Sequence, residues 1–273
     1  MRASSTTFRG RHCDERAAPA TTTRPRQARA AARARIGYIA EVNFVLHHFL
    51  ATRDLGAPIA GAGAMLPDLW RMADRRVRPS ATVSHEGASD DALVLAGVAH
   101  HVAVDRWFHA DPVFTDGERE AADGLRASAI AAPRTVLFAH VLWELCLDGA
   151  LIQRVGFGAM LGSLRAGITA LANGAGTRAA TRHHFDRVAR SAEERAVFER
   201  RLARILDAIA EGPWIEGYQT GEGIAERVQG VRTRLGLAPM DAADLTRFAE
   251  VARGLLGRAD AAVERVLSDA KAV

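Results

Sequence analysis

An apolar stretch at residues 135–152 indicates the fold most directly, and its sequence is TVLFAHVLWELCLDGALI. It is as long as a membrane-crossing helix, but three polar residues interrupt it: His140, Glu144 and Asp148. Because a step of four residues turns an α-helix by about 400°, these side chains share one face. The stretch therefore predicts a buried helix with a polar stripe, and we expect no membrane span in the chain.

The same helical periodicity continues through the chain from residue 36 onward. Apolar residues recur at intervals of three and four, with Gly, Pro and Asp at the breaks. Ser191 and Asp241 are expected to cap helices, because acidic residues follow each of them within a first turn. The predicted helices are 36–53, 58–73, 90–109, 116–127, 134–154, 157–173, 178–190, 192–211, 221–235 and 241–270. The pattern predicts an all-α fold with a single multi-helix domain at 36–273.

The composition sets limits on the class of protein. The 273 residues are 48% hydrophobic and 25% charged, which is ordinary for a globular protein and argues against general disorder. Two cysteines, Cys13 and Cys146, are too few for a disulfide framework and fit a reducing compartment. We therefore expect a cytoplasmic protein and exclude a small secreted disulfide scaffold.

The basic charge is concentrated at the N-terminus. Residues 1–35 carry nine Arg against Asp14 and Glu15, so the remainder of the chain has a net charge of −3. All basic residues except Lys271 are Arg, which indicates codon bias rather than selected phosphate contacts. We expect residues 1–35 to be a disordered Arg/Ala-rich tail without a secretory signal, and we expect no nucleic-acid binding.

Histidines give the strongest indication of chemistry. Seven of the ten lie between residues 47 and 140, and His101, Asp105 and His109 recur every four positions. Asp68 follows Pro67, which favours a bend that presents the carboxylate. The candidate metal ligands are His47, Asp68, His85, His101, Asp105, His109, His140 and Glu144.

The surroundings of these residues favour a metal. Their predicted helices are otherwise apolar, and burying unpaired carboxylates there costs several kcal/mol each. A divalent cation would neutralise them, and mixed His and carboxylate ligands suit Mn or Zn, with Fe or Mg as alternatives. His48 and His100 each adjoin a better-aligned histidine and are interpreted as packing or supporting residues. His183, His184 and Asp148 are expected at the surface, unless Asp148 orients His140.

Each candidate also has a purely structural interpretation. His101 with Asp105 fits a single buried ion pair, and His140 with Glu144 fits an ordinary i, i+4 pair. Asp68 could cap a helix. The coincidence of three such sites favours the metal over these separate explanations.

Five short motifs occur in a fixed order along the chain. They are Asn43-Phe44-Val45-Leu46-His47 with Leu50-Ala51; Gly63 with Asp68; Gly97, His101, Val104-Asp105 and Pro112; His140, with Ala139 in place of a preceding Asp; and Trp214, Tyr218, Ile224, Gly230 and Arg234. In order and spacing they resemble the acyl carrier protein phosphodiesterase family, also called ACP hydrolase. That family is a helical relative of the HD-type metal phosphohydrolases, and the resemblance covers roughly residues 43–234.

Three features depart from that family. His109 stands where an Asp is expected, Glu144 takes a position that is usually uncharged, and the segment 68–101 is longer and contains His85. These features are similar to zinc-dependent phospholipase C and its nuclease relatives, which hold a metal cluster in a helical bundle. Phosphodiester chemistry fits both comparisons, whereas the substrate differs between them.

The resemblance implies a metal-dependent hydrolase that releases 4'-phosphopantetheine from holo acyl carrier protein, its expected partner. Asp105 would be a ligand that also contacts the attacking water, and Glu144 would be a further ligand or a general base. Arg106 and Arg71 would supply charge for the leaving serine oxygen. Two alternatives stay open: a phospholipase C-like or nucleotide phosphodiesterase, and a non-catalytic helical protein with structural histidines.

Overall fold

The computed structural model describes residues 43–77, 89–130, 135–173 and 191–269, and the regular structure within these ranges is helical throughout. The helices are α1 (Phe44–Leu55), α2 (Pro58–Ala73), α3 (Asp90–Phe108), α4 (Pro112–Ala127), α5 (Thr135–Val155), α6 (Phe157–Asn173), α7 (Ala192–Glu211), α8 (Pro213–Glu216), α9 (Gly221–Arg234) and α10 (Ala242–Asp269). All of them belong to one compact unit, residues 37–273. The prediction of an all-α, single-domain fold is confirmed. The predicted tail at 1–35 and the predicted helix at 178–190 lie outside the described residues.

Local signals place most helix ends correctly. The predicted caps are confirmed, because the Ser191 hydroxyl accepts from the backbone N–H of Glu194 at 3.1 Å and Asp241 accepts from Asp244 at 2.7 Å. The prediction that a helix starts at residue 116 is wrong. Pro112 occupies the first helical turn of α4, where its missing N–H costs nothing, and Asp111 caps it.

Helix α5 forms the core of the molecule. Every residue from 137 to 152 is buried, and α5 packs against α1, α4, α6, α9 and α10. By length and composition, α5 is the helix among the described residues that could cross a membrane, and 89% of its apolar window is buried inside the protein. The core helix of a globular fold passes the same test, so the expectation of no membrane span stays a prediction.

Helices α2 and α3 pack with their backbones in close contact at two glycines. A Cβ atom at Gly97 would lie 2.0 Å from the carbonyl oxygen of Ala60, and one at Gly63 would lie 2.4 Å from that of Val94. Only glycine leaves room for such an approach. The close packing brings Asp68 on α2 next to His101 on α3.

Candidate metal centre

Four neighbouring helices supply the polar side chains of one largely buried cluster. Helix α1 contributes His47, α2 contributes Asp68, and α5 contributes His140 and Glu144. The end of α3 supplies the remaining three predicted residues, which are His101, Asp105 and His109. These side chains form two adjoining groups, described here as the first and second group.

The first group consists of His47, His101 and Asp105. One ligand atom from each of the three residues lies within 4.8 Å of the others. The imidazole ring centroids of His47 and His101 are 3.9 Å apart, and both side chains are buried. Asp68 lies beside this group, with its Oδ1 atom 3.8 Å from Nε2 of His101. The first group therefore offers two imidazoles and a carboxylate, with a second carboxylate adjacent.

The second group consists of His109, His140 and Glu144, whose ligand atoms also lie within 4.8 Å of one another. Oε1 of Glu144 is 3.1 Å from Nε2 of His140 and 3.5 Å from Nε2 of His109. The Phe114 ring packs against both imidazoles, with centroid distances of 4.4 Å to His109 and 5.0 Å to His140. The second group repeats the donor set of the first.

The two groups meet where Asp105 and His109 approach each other. Oδ1 of Asp105 is 3.5 Å from Nε2 of His109, one helical turn further along the chain. These two side chains are 30% and 27% exposed, whereas the Glu144 side chain is fully buried. The cluster is therefore open to solvent at the boundary between its two groups.

The imidazole of His47 is the least satisfied part of the cluster. It is 1% exposed, and neither ring nitrogen has a hydrogen-bond partner among the described residues. Burial lowers the pKa of His47 well below its usual value, and the nearby His101, His109 and His100 lower it further. Burying a neutral imidazole without hydrogen-bond partners costs free energy. Coordination of a metal by the lone pair of a ring nitrogen would offset this cost.

In the second group the pKa of a histidine is raised, whereas that of His47 in the first group is lowered. Although burial alone would raise the pKa of Glu144, the His140 and His109 imidazoles lower it to about 2. Burial likewise opposes the charge on His140, but Glu144 and Glu118 raise its pKa to about 10. In the absence of a cation, this group is an ion pair, and a metal bound there would displace a proton from His140.

The sequence analysis missed Glu118 on α4. Its Oε1 atom is 3.5 Å from Nδ1 of His140, on the opposite side of the ring from Glu144. A carboxylate at this position orients the imidazole of a metal ligand and raises its basicity. The available signal was the spacing from Phe114, since a residue four positions after a buried aromatic shares its inward face.

The surface prediction for Asp148 is wrong, and Asp148 does not orient His140. The side chain is fully buried, and its carboxylate accepts from the backbone N–H groups of Val45 at 3.2 Å and Leu46 at 2.9 Å. Burial raises the pKa of Asp148, while these two donors lower it. Since the side chain of Asn43 does not cap α1, Asp148 is the acceptor that anchors the start of the helix bearing His47.

The other predicted residues are Asp68, Arg106 and three further histidines. Asp68 lies within α2, which runs from Pro58 to Ala73 through Pro67, so Asp68 is not at a helix end and does not cap one. Arg106 is exposed on α3, and its catalytic role stays a prediction. His85, His183 and His184 lie outside the described residues.

The two supporting histidines pack elsewhere in the fold. His48 is buried, and its Nε2 atom is 2.9 Å from the Ser163 hydroxyl, whereas Nε2 of His100 is 2.9 Å from Oδ2 of Asp54. Neither of them belongs to the first or the second group.

Each group has the composition of a transition-metal site. Two imidazoles with one carboxylate suit Zn, Mn or Fe better than Ca or Mg, which prefer all-oxygen ligands. The side chains present could therefore hold one divalent cation in either group.

Comparisons of the chain with models of protein families, with curated proteins and with solved structures found no match.

Proposed function

We propose that the protein is a metal-dependent phosphodiester hydrolase in which the first and second groups each hold one divalent cation. One observation carries the proposal: two groups of identical donor type adjoin at a solvent-accessible boundary formed by Asp105 and His109. Paired divalent sites of this kind are common in enzymes that act on phosphate esters. The ring nitrogens of His47 are buried and have no hydrogen-bond partner within the described ranges, which favours a bound cation over a purely structural role.

The position of each side chain indicates the role that it would have in hydrolysis. A bound divalent cation would polarise the phosphoryl oxygens and make water a better nucleophile at neutral pH. Asp105, at the boundary, would orient the attacking water through its carboxylate. Asp68 would orient the ring of His101, and Glu118 that of His140. Arg106 would offset charge on the leaving oxygen from the exposed side of α3.

The motifs of the acyl carrier protein phosphodiesterase family favour holo acyl carrier protein as the substrate, with release of 4'-phosphopantetheine. Five of the motif and ligand residues expected from that resemblance lie in or beside the two groups: His47, Asp68, His101, Asp105 and His140. These residues come from four separate helices, so their convergence supports a shared role.

A second candidate is a phospholipase C-like or nucleotide phosphodiesterase. His109 and Glu144 are the residues that depart from the acyl carrier protein phosphodiesterase pattern, and both belong to the second group. A small-molecule phosphodiester would then be the substrate.

The test is to measure bound metals in the purified protein and to assay two substrates with added Mn or Zn. Conversion of holo to apo acyl carrier protein, lost in Asp105→Ala and kept in Asp123→Ala, is the expected result. Asp123 is an exposed carboxylate on α4 that pairs with Arg126, so it is a matched control outside the cluster.

Hydrolysis of bis-p-nitrophenyl phosphate without action on acyl carrier protein would favour the second candidate. Absence of both activities and of retained metal would overturn the proposal and favour structural histidines.

A further inference from the structure

A solvent-open cavity of about 580 Å³ is lined by residues of α2, α7, α8 and α9. This volume is within the range of sites that bind small molecules. Its lining includes no residue of the first or second group, so it is distinct from the candidate metal centre.

Four arginines line this cavity: Arg201 and Arg204 on α7, and Arg227 and Arg234 on α9. Of the described residues in the lining, Glu211 is the one that carries a carboxylate. Among the described residues, none of the four guanidinium groups forms an ion pair with a carboxylate, although ion pairs are common elsewhere on the surface. Asp74 interacts favourably with Arg201, and Glu211 lies in the lining, so these carboxylates offset part of the charge and the cavity keeps an excess of positive charge.

Arg227 and Arg234 lie seven residues apart on α9, which places them on the same face of the helix. Nε of Arg227 is buried, and no residue in the described part of the chain forms a hydrogen bond with it. Loss of solvent lowers the pKa of Arg234, Tyr218 opposes this change, and the adjacent Arg227 guanidinium adds to the lowering. The two like charges repel each other, and an anion bound beside them would relieve that repulsion.

The rest of the wall is apolar and partly aromatic. Met72, Ile205 and Ala208 contribute aliphatic surface, and Trp214 contributes an indole ring. The Trp214 ring is held in place by Phe44, with 5.9 Å between the ring centroids. The cavity thus combines donors for an anion with a fixed surface for a non-polar group.

We propose that this cavity binds a phosphate monoester attached to an apolar or aromatic body. The phosphate lies among the arginines, whose planar guanidinium groups donate paired hydrogen bonds to phosphate oxygens. The body of the ligand lies against Trp214 and the aliphatic side chains. A dianionic phosphate matches four arginines and one glutamate better than a single carboxylate does.

The test is calorimetric titration with hexyl phosphate and phenyl phosphate, compared with inorganic phosphate and hexanol. At least one of the organic phosphates is expected to bind about tenfold more tightly than inorganic phosphate, and hexanol is expected not to bind. The ratio of the two organic phosphates distinguishes an alkyl from an aromatic ligand. The double variant Arg227→Gln/Arg234→Gln is expected to weaken binding about tenfold or more.

Two controls separate this site from general charge and from the metal centre. Arg126→Gln removes an exposed arginine outside the cavity and should keep full affinity, and Asp105→Ala should keep it too. If thermal melting shows that the double variant is unfolded, Arg204→Gln replaces it, with a severalfold loss expected. Full affinity in the arginine variants, or no saturable binding at millimolar concentrations, would overturn the proposal.

Discussion

Glu118 is the residue whose contribution to the candidate metal centre is easiest to isolate. Because its carboxylate lies on the Nδ1 side of His140, Glu118→Gln should lower the affinity of the second group for Zn or Mn about 10- to 100-fold. Competition with a chelator of known affinity measures this change. Glu120→Gln is the matched control, since Glu120 lies two positions further along α4 and pairs with the exposed Arg258. Equal affinities in both variants would contradict the orienting role.

Asp148 should matter for stability rather than for metal binding. Asp148→Ala leaves the buried N–H groups of Val45 and Leu46 without their acceptor, so it should lower the free energy of unfolding by about 1–3 kcal/mol. Urea denaturation measures the loss. Asp241→Ala removes an exposed helix cap instead and should cost less. A loss no greater than that of Asp241→Ala would show that the anchor is weak.

For individual side chains, the spacing predicted which ones share a helix face but not which residues they contact. His140, Glu144 and Asp148 lie on one face of α5, as the four-residue step requires. His140 and Glu144 reach the second group, whereas Asp148 reaches the start of α1. That division depends on which helix crosses α5 at each turn, and no local pattern contains this information.

The close packing of α3 against α2 at Gly97 should make this position sensitive to substitution. Gly97→Ala places a methyl group 2.0 Å from the carbonyl oxygen of Ala60, so the helices must separate. We expect a loss of about 3 kcal/mol in unfolding free energy and weaker metal binding by the first group. Thermal or urea unfolding measures the former.

Gly254→Ala is the control for Gly97→Ala, because Gly254 is exposed in α10 with no neighbouring atom within 4 Å. That variant should be stabilised by about 0.5–1 kcal/mol, since alanine favours a helix. Similar effects of the two variants would mean that helix propensity, not the close packing of α2 and α3, governs Gly97.

Most helices could be predicted from the sequence, because capping residues and apolar periodicity are local signals. Helix α2 is predicted at 58–73 and found there, and α7 is predicted at 192–211 and found there. The short helix α8 was not predicted, because four residues are too few to show a period. The pairing of α2 with α3 through glycines was also unpredicted, since it depends on tertiary contact.

For the whole molecule, cation binding should be visible as added stability. If a cation binds only the folded chain, Zn or Mn at about 100 times its dissociation constant adds about 2.7 kcal/mol. In a domain of this size the melting temperature should then rise by about 5–10 °C. Differential scanning calorimetry measures the rise, which should shrink in Asp105→Ala and persist in Asp123→Ala. A rise that is the same in all three proteins would place the cation elsewhere.

The burial of α5 has a consequence for how the protein is made. Helix α10, which covers Cys146 and Gly149 of α5, begins 87 residues after α5 ends. During translation, α5 therefore leaves the ribosome long before α10 has been synthesised. During that interval it presents to the cell the same features as a nascent membrane anchor. We expect newly synthesised chains to need a chaperone that shields α5, and truncation before residue 242 to yield insoluble or mis-targeted protein.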